Sequence, residues 1–351
     1  MRSQFRYPLI TAALISINSL LAVNDSAVLE DKFLDSLSEY EFFVDLKTQT
    51  PSEGVIPYDL ISSLFSDYSF KKRFIYVPKG KKATLEKDWV FDFPVGSALI
   101  KTFYYQNDQT NLQKGINLLE TRLLLRKENK WVAASYVWNQ DKSDAFLKIA
   151  GKAIKTSWID EEGVKRHVRY KVPNTNQCKE CHQTGDEISP IGPKARNLNK
   201  DFNYGEKKQN QLAKWFESGI ISELPTNVVS NANWKDKQFS LEERARSYLA
   251  INCGHCHMPS GSANSTGLYL DFMETKQKSL GIFKKPVASG RGSGGLKYSI
   301  VPGYAEESIL LYRMLSIDPG VMMPEAGRSL VHKEAVLLIE EWINSMGKDG
   351  R

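Results

Sequence analysis

Two five-residue segments constrain this chain more than anything else in it: Cys178-Lys179-Glu180-Cys181-His182 and Cys253-Gly254-His255-Cys256-His257. Both have the order Cys-x-x-Cys-His, and together they use all four cysteines of the 351 residues. That pentad is the attachment signal for c-type haem. Its two thiols bond covalently to the porphyrin, and the adjacent histidine ligates the iron. Cys178, Cys181, Cys253 and Cys256 are therefore the expected attachment points of two covalent haems, and His182 and His257 the expected proximal ligands. A four-cysteine zinc site has its pairs about 20 residues apart, much closer than here. Structural disulfides or redox dithiols leave the repeated histidine unexplained.

The chain has room for two modest domains, and its hydrophobic share of 41% is ordinary for a globular protein. The net charge of +6 is mild. Lys71-Lys72-Arg73 and Lys79-Gly80-Lys81-Lys82 read as solvated faces, suited also to steering an acidic redox partner protein. No motif for nucleic acid accompanies the charge, so no nucleic-acid partner is expected. Residues 1–27 read as a secretory signal peptide. Arg2 and Arg6 precede a mostly apolar run from Leu9 to Val23, interrupted by Thr11, Ser16, Asn18 and Ser19. The run is too short and too polar for a spanning helix, and cleavage is expected between Ala22 and Ala27; an uncleaved anchor is the alternative. A periplasmic or otherwise exported location agrees with the pentads, because bacteria attach c-type haem outside the cytoplasm.

The expected fold class is α+β: an N-terminal, mainly antiparallel β domain carrying one haem, and a C-terminal all-α cytochrome c domain. The expected boundaries are 35–200 for the first, 201–238 for a linker and 239–349 for the second. Ser97 to Tyr105, Leu118 to Arg126 and Trp131 to Trp138 are strand-like runs bounded by polar turns. Gln209 to Ser218 reads as a helix. Ser240-Leu-Glu-Glu243 is a capping box opening a helix into Cys253, and His332 to Met346 is a second amphipathic helix. Ser308 to Leu315 reads as a helix and Gly267 to Phe272 as a short strand. Gly290-Arg-Gly-Ser-Gly-Gly295 lacks the order of a phosphate-binding loop.

For the second haem, Met323 is the expected sixth ligand, since methionine sulfur raises the potential of haem iron and Pro324 stiffens the residue before it. Met322 is the alternative, and Met314 reads as core. The first haem has no evident sixth ligand, because no methionine occurs between Met1 and Met258. Either a histidine such as His167 or the remote His332 covers its iron, or that face is open to a small-molecule ligand. His332 itself reads as a solvated residue at a helix start, His255 as solvent-facing, and Arg291 as solvated or paired with a haem propionate.

Gln177 to His182, Pro190-Ile-Gly-Pro-Lys-Ala-Arg-Asn-Leu-Asn199, Arg244 to His257, Gly290 to Gly294, Val301-Pro-Gly303 and Met322-Met-Pro-Glu325 occur in an order that resembles an uncharacterised family of exported bacterial di-haem cytochromes. The C-terminal half resembles a monohaem cytochrome c. The N-terminal half, with Phe93-Pro-Val-Gly-Ser-Ala-Leu-Ile-Lys101, Trp131 and a closing pentad, is similar to the lysine-crosslinked-haem cytochromes and the sheet-type c-prime cytochromes. That likeness implies small-molecule chemistry or gas binding at the first haem and points to Lys101 as the crosslinking position; as a strand residue alone, Lys101 reads as solvated. Two functions fit these residues: electron transfer through two covalent haems, or an oxidoreductase or gas-binding protein acting at the first.

Overall fold

The computed structural model describes residues 22–205, 207–287 and 289–347. The apolar run of the expected signal lies outside the described residues, apart from its last two positions. The chain just after it is built into the fold. Asn24 caps α1 (Asp25–Leu29), and Val23, Ala27 and Val28 pack into a core with Tyr40 and Phe42. Among the described residues no helix is long and apolar enough to cross a membrane.

A six-stranded antiparallel sheet dominates the molecule. β1 (Val55–Tyr58), β2 (Phe70–Tyr76), β3 (Ala98–Gln106), β4 (Ile116–Arg126), β5 (Trp131–Trp138) and β6 (Ala145–Leu147) lie side by side in chain order. Each neighbour is antiparallel, so turns and loops suffice to connect them and no helical crossover is required. The three strand-like runs of the sequence all become strands; β3 and β5 are rich in the β-branched and aromatic residues that fit a pleated surface, and β4 is rich in leucine. One face (Phe74, Ile100, Leu123, Tyr136) packs on the N-terminal segment. The other carries two separate apolar patches. The first joins Ile75, Leu99 and Trp131 to Leu198 and Trp215. The second joins Phe103 and Tyr105 to Trp158 and Tyr170 of a hairpin formed by β7 (Lys152–Ile159) and β8 (Lys165–Val172).

The expectation of an all-α C-terminal domain is overturned. The fold is mainly antiparallel β, and its helices are short and scattered: α1, α2 (Thr175–His182), α3 (Ala195–Leu198), α4 (Gln211–Glu217), α5 (Leu241–Asn252), α6 (Ile309–Leu315) and α7 (Lys333–Ser345). Between α5 and α6 the described residues hold only turns, isolated bridges and short 3-10 segments. The cause is composition: Gly and Ser are frequent from 259 to 303, Pro recurs, and no apolar residues repeat at helical spacing. The expected strand from Gly267 to Phe272 does not form either. Its backbone is held by single bonds to separate segments, Leu270 N–H donating to His257 O at 2.8 Å and Tyr269 N–H to Ser279 O at 2.7 Å. The helices that do form start where their caps dictate. Ser240 and Glu243 make both bonds of the capping box of α5, and α5 packs on α7 through Leu249, Ile339 and Trp342.

Residues 201–238 contain a short strand pair (Asp201–Asn203 with Lys208–Asn210) and α4. Trp215 of α4 is fully buried, ringed by Tyr58, Phe91 and Phe93. The segment is therefore packed into the second face of the sheet.

Candidate functional site

The first pentad rides on α2, which a capping box starts: Asn174 accepts from Gln177 N–H, and the Gln177 side chain reaches back to Asn174 N–H. At helical spacing Cys178, Cys181 and His182 share one face, and α2 rests on β5. His182 Nδ1 lies 2.8 Å from the carbonyl oxygen of Ser189. That bond puts the ring proton on Nδ1 and leaves the Nε2 lone pair for another partner. Burial, helped by the positive charge of Lys101, pulls the His182 pKa down to about 3 and keeps the ring neutral.

The second pentad continues from the end of α5. Cys253 N–H donates to Leu249 O at 2.8 Å, and the turn closes with His257 N–H on Cys253 O at 2.9 Å. Gly254 is needed inside it, because a Cβ there would lie 2.6 Å from the carbonyl oxygen of Ala250. Burial pushes the Cys253 thiol up to about 12. Burial also lowers the His257 pKa, favouring a neutral ring there as at His182.

The two pentads are far apart in sequence and touch in space. The Cys181 and Cys256 thiols are close enough to shift each other's ionisation, and Cys256 Sγ lies 3.8 Å from the carbonyl oxygen of Glu180. Just beyond them, Gly185 N–H donates to Ser260 O at 2.7 Å. Cys178, Cys181, His182, Cys253 and His255 all line one cavity between the sheet, α2, α5 and α7. Cys256 and His257 stand outside its wall. All four cysteines are free. Among the described residues no three His, Cys, Asp or Glu side chains gather as a bare metal ion requires.

Met323 lines the same cavity, as does Met314. Met322 is buried elsewhere and is not part of the wall. Arg328, itself 5% exposed, holds the Met323 loop. Its guanidinium donates to the carbonyl oxygens of Met323 (2.9 Å), Ser316 (2.8 Å), Leu330 (3.1 Å), Arg313 (3.2 Å) and Met314 (3.3 Å). The loop is also tied to the sheet half of the molecule. Asp67, in the segment before β2, accepts from Ser329 N–H at 2.6 Å and Leu330 N–H at 2.8 Å.

Several residues that look solvent-facing in the sequence face inward. Lys71, Arg73 and Lys101 line the cavity, with Arg122 beside them. Lys101 is not on a solvated edge because β3 is a central strand with both faces covered. Burial, with Arg122 and Arg73 nearby, lowers its pKa to about 7. His255 faces the cavity as well. His332 is enclosed by aromatics: it stacks on Phe65 at 4.1 Å between centroids, meets Trp234 and Tyr68 edge-on, and shares a 3.0 Å hydrogen bond with Tyr248 Oη. Its Nε2 lies 3.7 Å from a Glu334 carboxylate oxygen. Burial, with the Lys235 and Lys71 charges, lowers its pKa to about 3. His167 is exposed on β8 and faces an outer groove. Arg291 is away from the cavity and pairs with Asp318 through two 2.9 Å bonds. Nothing in the sequence singles out Arg328. For the sheet cations the signal is charge at alternate positions inside apolar strands: Lys71 and Arg73, Glu120 and Arg122.

No family model, no curated protein and no solved structure matches this chain.

Proposed function

We propose that this protein is an exported c-type cytochrome that holds two covalent haems and passes electrons between them and a redox partner protein. The observation that carries the reading is that Cys178, Cys181 and His182 of the first pentad and Cys253 and His255 of the second line one cavity, with Cys256 Sγ 3.8 Å from Glu180 O. Neither a solvated nor a purely structural pair of motifs requires that convergence. The lining suits an iron porphyrin: apolar walls from Leu99, Leu124, Ile251 and Val336, and cations suited to carboxylates. Bound haem iron supplies one-electron chemistry.

The chain's own residues have definable tasks. Cys178 with Cys181, and Cys253 with Cys256, anchor the two groups. His182 offers Nε2 to iron while Ser189 O fixes the ring, and His257 is its counterpart in the second pentad. Met323 offers sulfur from a loop that Arg328 and Asp67 hold still. The apolar walls limit water around the iron.

A second reading, binding or redox chemistry of a small molecule at the first haem, is favoured by one observation. The cavity's methionines, Met314 and Met323, both come from the C-terminal part, His167 faces away, and His332, which also lines the cavity, has Nδ1 bonded to Tyr248 and Nε2 turned to Glu334. Mass and haem analysis of the protein matured in a c-type haem-attaching host tests the proposal: two haems per chain are expected, and the bare polypeptide mass refutes it. Carbon monoxide separates the two readings, since only an open iron shifts its spectrum.

A further inference from the structure

Strand register puts three cations in a row. Arg73 of β2 pairs directly with Lys101 of β3, and Lys101 pairs directly with Arg122 of β4. Two residues along, the next row on the same face is Lys71, Phe103 and Glu120. Like charges placed directly opposite in a sheet repel. Here they do so inside a cavity wall, where an unpaired charge is costlier still. Four cations therefore meet in two adjacent rows.

The nearby carboxylates pair with the two arginines and leave the two lysines without a carboxylate. Arg73 takes Asp59 at 2.7 Å, and Arg122 takes Glu120 at 2.6 Å. Glu120 also accepts from Tyr170 Oη at 2.6 Å. Lys71 reaches only a backbone carbonyl, that of Ser69, at 2.7 Å. The Lys101 ammonium has no hydrogen bond among the described residues. Lys71, Lys101 and Arg122 instead gather over one ring, with cationic centres 5.9, 5.2 and 4.3 Å from the Phe103 centroid. A merely apolar wall requires none of them.

We infer that Lys71, Lys101 and Arg122 form a receptor for an anion of the carboxylate or oxyanion class, seated on the Phe103 side of the cavity beside the first pentad. Two sources share that chemistry: a carboxylate of the haem held by Cys178 and Cys181, or a small free oxyanion. The inference rests on the two-haem reading for the first source only. Lys101, the member without a hydrogen-bond partner, contributes most to either. Arg122 is already engaged by Glu120 and acts as the fixed edge of the site. Burial and the neighbouring cations lower the pKa of Lys101 and of Lys71, a cost that a seated anion would offset.

The test uses the full chain with its haem content measured by mass. Wild type, Lys101→Met, Lys101→Arg and Lys71→Met are titrated calorimetrically with sodium nitrite and sodium acetate at low salt, and the potential of each haem is recorded. With a free oxyanion as occupant, wild type binds one anion per chain. Lys101→Met then weakens binding about tenfold or more, the loss of one charge-assisted hydrogen bond, and Lys101→Arg retains most of it. With a haem carboxylate as occupant, wild type takes up neither anion, and Lys101→Met lowers the potential of the first haem while Lys101→Arg does not. Lys71→Met repeats the comparison if Lys101→Met does not fold. Anion binding or potentials indifferent to loss of either lysine overturn the inference. Wild type that carries no haem refutes the two-haem reading instead, and the nitrite and acetate titration still decides the receptor.

Discussion

Replacing Arg328 by Met isolates what holds the Met323 loop. Met roughly preserves the apolar stem of the side chain and removes the guanidinium. Five carbonyl oxygens, of Arg313, Met314, Ser316, Met323 and Leu330, then lose their donor. A hydrogen bond to a charged group is worth about 1.5–3 kcal/mol. The five share one guanidinium, with four crowding Nη2, so they do not add. Relief of the buried charge offsets part of the loss. A net destabilisation of about 3–5 kcal/mol follows, a large part of a typical stability of about 5–15 kcal/mol. Urea unfolding of the haem-loaded protein reads that figure. On the two-haem reading, the sulfur-to-iron charge-transfer band should weaken in the same samples, because Met323 O is one of the freed carbonyls. Arg328→Lys should fall between, since an ammonium has three donors and cannot span five acceptors. Stability within about 1 kcal/mol of wild type, with an unchanged band, would refute the argument that this guanidinium organises the loop.

On the two-haem reading, Met323→Ala should abolish the charge-transfer band and lower the potential of the second haem, while Met322→Ala leaves both in place; the reverse pattern exchanges the two residues. Replacing Cys178 and Cys181 together by Ala should leave one haem by mass, and a retained pair of haems rules out attachment there. His332 should make the fold acid-sensitive. Its pKa is lowered from 6.5 to about 3 on folding, so the unfolded chain binds the proton first and stability falls as pH drops through that window. The slope reaches about 1.4 kcal/mol per pH unit. His332→Phe should flatten it, and an acid-unfolding profile that keeps its full slope refutes the assignment.

The strands were legible because aromatic and β-branched residues cluster from 97 to 105 and 131 to 138, and because 118 to 126 is a short apolar run rich in leucine. The starts of α5 and α7 were legible because their apolar spacing and, for α5, the cap are local. The helical C-terminal domain was inferred from two helices and a pentad, and Gly- and Ser-rich chain filled the space between them instead. Inward-facing charge was illegible for a different reason. Lys101 looks solvated in isolation, and only the register of three strands shows Arg73 and Arg122 on either side. The cage around His332 draws on Phe65, Tyr68, Trp234 and Tyr248, a set that no short window contains.

The contact between Cys181 and Cys256 has a consequence for biosynthesis on the two-haem reading. With Gly185 bonded to Ser260 and Cys256 Sγ 3.8 Å from Glu180 O, the folded chain would present the two pentads to an attachment enzyme together. Haem is then added while the nascent chain is still open, with the first pentad emerging ahead of the second. Docking of the two halves would then be the final event of maturation.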